Sequence, residues 1–123
     1  MTKDEANQLR IGNYLQRLDD SIFQVTAQDI LSISKWESNE GLLPKFIPLS
    51  EDILLRLGFE YHKSLDKHFI IEKLGIAVST ADDKFRIIVG NIICQLVICE
   101  LEFLHQLQNV IFDLKKTELT LNP

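Results

Sequence analysis

The sequence predicts an α+β fold. It would consist of a curved antiparallel sheet (the Leu9–Trp36 meander as half of a small SH3-like barrel is one form of it), a short middle helix, and a long C-terminal helix packed on the sheet. Three observations predict it. Short runs of alternating apolar residues recur on both sides of Pro44 and Pro48. Two pairs of such runs flank hairpin chemistry, at Ser64-Leu65-Asp66 and at Gly90-Asn91. Only one long stretch, Leu101–Lys116, repeats its apolar residues with the period of a helix.

Taken in order, Met1–Gln8 is a polar, mixed-charge segment that reads as a flexible leader to a single domain spanning the chain. Leu9, Ile11 and Leu15 suggest a first strand with a bulge at Gly12, and Ile22–Thr26 a second after the Asp19-Asp20-Ser21 turn. Thr26–Asp29 either caps a helical turn or leads into a third strand. The alternation of Leu31 and Ile33 with serines favours a strand over Ile30–Trp36. Ser50, followed by Glu51 and Asp52, marks the start of a helix of about two turns that Gly58 ends.

Beyond that helix, a hairpin centred on Leu65 sets Tyr61 opposite Phe69, Phe59 opposite Ile71 and His62 opposite His68. Ile76–Ser79, Phe85–Val89 and Ile92–Ile98 are further strands. The last of them is apolar on both faces, which predicts a central position in the sheet. In the long helix, Phe103, Leu104, Leu107, Val110, Ile111 and Leu114 share an arc of roughly 120° and form the core stripe.

Charge and composition narrow the function. The 18 acidic residues outnumber 13 basic ones, a net charge of −5, and the basic residues are scattered, which disfavours nucleic acid. The N-terminus has no secretory signal, and Phe85–Cys99, the most apolar window, is too short and too interrupted to span a membrane. Cys94 and Cys99 fall on one predicted strand with odd spacing. They would lie on opposite faces about 16 Å apart, which excludes a mutual disulfide and suits a reducing cytoplasm.

Two constellations carry chemistry. His62 and His68, with Glu60 and Glu72 on their face by parity, have the ligand types of a metal site. Exposed polar positions on a hairpin account for the same letters. In the long helix, His105, Gln108, Asn109 and Phe112 lie within an arc of roughly 100° opposite the core stripe. An aromatic among amides has the composition of a partner-binding patch. The alternative is that another segment of the chain covers this face. No nucleophile elbow, zinc-protease, phosphate-loop or dinucleotide motif occurs, so no enzyme and no cofactor are expected.

Three blocks carry a resemblance: L-R-I-G-N (Leu9–Asn13), I-P-L-S-E-D-I-L-L-R-L-G-F (Ile47–Phe59), and H-Q-L-Q-N-V-I-F-D-L (His105–Leu114) with T-E-L-T (Thr117–Thr120). In this order they resemble a group of short uncharacterised proteins of Bacteroidetes-type bacteria, their phages and mobile elements. The resemblance implies a phage or mobile-element setting and no particular activity. The expectation is therefore a small, cytoplasmic, non-enzymatic interaction protein that binds a protein partner or itself. The other readings are a nucleic-acid-associated module drawing on Lys35, Lys45, Lys63, Lys67 and Arg86, and a metal-dependent enzyme built on His62 and His68.

Overall fold

A computed structural model describes residues 8–35, 44–62, 67–90 and 95–122. In chain order its elements are β1 (Tyr14–Gln16), β2 (Ile22–Gln24), α1 (Ala27–Lys35), α2 (Glu51–Arg56), β3 (Glu60–Tyr61) and β4 (His68–Ile71). After a short 3₁₀ turn follow β5 (Ile76–Ser79), a second 3₁₀ turn, β6 (Phe85–Gly90), β7 (Gln95–Leu101) and α3 (Leu104–Lys115). The fold is α+β, and its elements divide between two compact units.

The first unit comprises Met1–Pro48 and Phe103–Glu118. Here β1 and β2 form an antiparallel pair with Leu15 opposite Phe23. The turn between them is held by Asp19, whose carboxylate accepts from the backbone and hydroxyl of Ser21 at 3.0 and 2.6 Å. These bonds hold the Asp19 carboxyl below its ordinary pKa. Leu15, Val25 and Phe46 form the core, with Leu9, Phe23, Ile30 and Phe103 packed around them.

The strand expected over Ile30–Trp36 is instead α1, as far as Lys35; Trp36 lies outside the described residues. A reciprocal cap is the reason. Thr26 Oγ1 accepts from Asp29 N at 3.2 Å, and the Asp29 carboxylate accepts from Thr26 N at 2.9 Å. Two orphan donors of the first turn are thereby satisfied, which outweighs a four-residue alternation. The first strand is also shorter than expected. It begins only at Tyr14, because Gly12 takes φ +97° and Leu9–Asn13 folds into a turn.

The second unit comprises Leu49–Glu102 and Leu119–Pro123. Ser50 caps α2 as expected, accepting from Ile53 N at 3.2 Å. Its C-terminus closes with Gly58 N–H on Leu55 O and Phe59 N–H on Leu54 O, a double bond pattern that needs the left-handed Gly58 at φ +98°. Five antiparallel strands follow in the order β3-β4-β5-β6-β7. The hairpin register is the expected one, with Tyr61 opposite Phe69 and the His62 N–H on His68 O at 2.8 Å. Phe69, Ile71, Ile76, Val78 and Ile87 are buried on one face of this sheet.

Five further expectations change. Among the described strands β3 and β7 are the ends of the five-stranded sheet and do not pair, and the Leu9–Trp36 meander expected as half of an SH3-like barrel is a two-stranded pair followed by α1, so no barrel closes. β7 is accordingly a terminal strand and not a central one, because apolar side chains on both faces report what covers a strand, not its place in the ladder. Gly90 pairs with Gln95, so the connection is longer than a Gly90-Asn91 turn, and Asn91 lies outside the described residues. The register shifts between Ile87↔Cys99 and Ile88↔Val97, an extra residue in β7 that breaks the parity argument for the cysteines. Cys94 lies outside the described residues. Finally, α3 belongs to the first unit and contacts β1 of the two-stranded sheet; the five-stranded sheet belongs to the second unit.

Along α3 the buried face is rotated from the predicted stripe. Leu104, Leu107 and Ile111 are buried as the periodicity requires, but Leu114 is 45% exposed and Val110 only half-buried. His105 and Gln108 take their place in the interior.

Candidate functional site

The polar stripe of α3 carries the most extensive side-chain hydrogen bonding among the described residues of the first unit. Helical spacing projects His105, Gln108, Asn109 and Phe112 in one direction. They meet the turn Gln8–Asn13, which is shaped by its own bonds: Arg10 N donates to the Asn13 side chain at 2.6 Å, and Asn13 N donates to Arg10 O at 3.0 Å. Gly12 N–H and Val25 N–H tie the turn to the end of β2, bonding Val25 O and Asn13 O, each at 2.8 Å.

Gln108, with no exposed surface, is the centre. Its amide oxygen accepts from Tyr14 N at 2.9 Å and from Asn13 Nδ2 at 3.5 Å. Its amide nitrogen donates to Gly12 O at 3.1 Å and to Glu118 Oε1 at 3.3 Å. Asn109 accepts from Asn13 Nδ2 at 2.8 Å and from Arg10 Nε at 3.2 Å, while donating to Gln8 O at 2.9 Å.

Arg10 closes the lattice. Its guanidinium lies 4.3 Å from the centre of the Phe112 ring and donates to Glu118 at 2.6 and 3.3 Å. That is a forked ion pair stacked on an aromatic face, a geometry that arginine supplies and lysine does not. Gly12 is required here by its φ of +97°; a Cβ at this position would make only ordinary contact with the Glu118 carboxyl group, at 3.4 Å.

His105 is 1% exposed. It stacks on Phe46 at 4.2 Å between ring centroids and bonds Gln8 through Nε2 at 3.3 Å. The partner-binding patch expected at His105, Gln108, Asn109 and Phe112 is thus not an open surface: the chain's own N-terminal turn covers it. The covering residues are Arg10, Gly12 and Asn13, which sequence reasoning treated as strand. The available signal was the coincidence of a regular polar stripe at spacings 3, 4 and 7 with the L-R-x-G-N turn.

Chemically, the lattice pairs donors with acceptors and an arginine with a carboxylate. It contains no cysteine, serine or threonine side chain that could act as a nucleophile. Burying such groups costs little only when each is paired, and in that state they fix one arrangement of helix and turn.

The histidine constellation lies in the second unit. His62 and His68 are opposed across the hairpin, but β4 ends at Ile71 and Glu72 starts a 3₁₀ turn, which removes it from their face. Glu60 and Glu72 instead border a shallow depression with Ile70 and Lys73 that neither histidine lines. Among the described residues no group of three His, Cys, Asp or Glu side chains is placed to hold a metal ion. Of the basic residues considered for nucleic acid, Lys35 and Lys45 belong to the first unit, Lys67 and Arg86 to the second, and Lys63 lies outside the described residues. Burial raises the pKa of the Cys99 thiol, the opposite of nucleophile activation. Among the described residues no helix is long and apolar enough to cross a membrane.

No protein-family model, curated protein or solved structure matches this chain.

Proposed function

We propose that the protein is a small non-enzymatic interaction module that takes a segment of a protein partner as an added strand along β7. One observation carries the reading: β7, seven residues without proline or lysine, pairs among the described residues with β6 alone. Its outer backbone groups are a template for a further strand, whereas β3, the other terminal strand, has two residues. Just beyond β7 the chain already accepts such a bond, from Leu49 N–H to Glu102 O at 3.0 Å. The polar stripe of α3 is set aside as the docking surface because the N-terminal turn occupies it. A phage or mobile-element origin rests on the resemblance of the Leu9–Asn13, Ile47–Phe59 and His105–Leu114 blocks.

The test begins with the proteins that co-purify with the chain from its native host. Hydrogen exchange of the purified complex is then mapped. The reading predicts new protection at the β7 amides that β6 does not bond, and loss of the complex in Glu100→Pro with the circular dichroism of the chain retained. A complex that leaves β7 exchange unchanged overturns it.

A further inference from the structure

The geometry points to a two-imidazole site for a divalent transition-metal ion, formed by His62 and His68 across the β3–β4 hairpin. It rests on register. Glu60↔Ile70 and Tyr61↔Phe69 are paired, and the ladder continues one step to the His62 N–H, which donates to His68 O at 2.8 Å. Directly opposed residues of an antiparallel pair share a face with Cβ atoms about 5 Å apart, within the span of a chelate closed by two imidazoles.

The register is held firmly. Tyr61 and Phe69 meet edge-to-face at 5.3 Å on the opposite face, and Phe69 is 3% exposed, so a slip by one residue would expose a buried ring. Both histidines are half-buried, which leaves an approach for a hydrated ion. On its other side His68 is opposite the neutral Ser79, and the exposed Glu60 lies two residues from His62 on the same face. The nearest neighbours in the ladder therefore add no positive charge against a cation. With two protein ligands the remaining positions go to water. Imidazole donors favour copper(II) most strongly among the common divalent ions.

The chain has three histidines, and the third, His105, is buried against Phe46. Copper(II) added to the full chain with Cys94 and Cys99 replaced by serine, so that no thiol binds or reduces the ion, is read by electron paramagnetic resonance and by titration. One ion per chain with two equatorial nitrogen ligands is expected. His62→Ala and His68→Ala, each checked for an unchanged circular dichroism spectrum, should each weaken binding at least about tenfold, the loss of an intramolecular second contact. Bound ion should also slow exchange of the His62 amide. Binding that survives either single substitution undiminished overturns the site, as does a chain with both histidines that binds two ions with one imidazole each. A chain that binds copper no better than its single-histidine variants also overturns it.

Discussion

Replacing Gln108 by leucine keeps the side-chain volume and removes the centre of the lattice. Four bonds go, but three of their ends retain other partners: Asn13 Nδ2 still reaches Asn109, Glu118 still binds Arg10, and Gly12 O still accepts from Gln24 Nε2 at 3.4 Å. The Tyr14 N–H loses its bond to the Gln108 side chain. Each of the four bonds contributes about 0.5–1.5 kcal/mol, and the added apolar burial offsets roughly 1–2 kcal/mol. The net expectation is a loss of about 2 kcal/mol, or roughly 6–10 °C in melting temperature for a chain of this size. Urea and thermal melts followed by far-ultraviolet circular dichroism measure it. Gln108→Glu sharpens the test, because its carboxylate would face both Glu118 and Gly12 O. That variant should be the less stable of the two at neutral pH and should recover as the pH falls to where the carboxylate pair takes up a proton. If Gln108→Leu melts within about 0.5 kcal/mol of the wild type, as surface substitutions do, the lattice does not hold the N-terminal turn and the reasoning fails.

The remaining predictions concern single features. Gly12→Ala forces a side chain onto a backbone at φ +97°, so a loss of about 1–3 kcal/mol is expected in the same melts. A neutral outcome would mean that the turn relaxes. Thr26→Ala removes one half of the α1 cap and should cost about 1 kcal/mol, with lower helix content near Ala27 read by amide chemical shifts. Cys99, with its thiol pKa raised by burial, should be alkylated more slowly at pH 8 than an unstructured cysteine peptide, and urea should erase the difference. Faster alkylation than the peptide would contradict the burial.

What the sequence revealed follows the range of the interactions. The β3–β4 register could be read because Phe59, Tyr61, Phe69 and Ile71 share one parity and the correct pairing buries most of them together. The α2 cap and its glycine stop are likewise local, within three or four residues. The Ile30–Trp36 error is a competition between two local signals. Leu31 and Ile33 alternate like a strand, but Thr26 and Asp29 stabilise the helix start by hydrogen bonds that alternation does not register. Leu31 is 59% exposed on that helix, so the alternation reflected no buried face. The α3 lattice was beyond reach for a different reason: Arg10 and Glu118 are 108 positions apart, Asn13 and Asn109 96 apart. A polar stripe on a helix is the same string of letters whether water or a buried turn satisfies it. Only the turn's own polarity, with Arg10, Gly12 and Asn13 in five residues, hinted at a partner.

The polar stripe of α3 is spent inside the protein, where it fastens the N-terminal turn. Residue-resolved hydrogen exchange at the Tyr14 amide, whose N–H is bonded to the buried Gln108 side chain, tests this most directly. The predicted result is protection comparable to the Leu107 and Ile111 amides of α3, abolished in Gln108→Leu. Exchange of the Tyr14 amide at the rate of an unstructured peptide in the wild-type protein would contradict it.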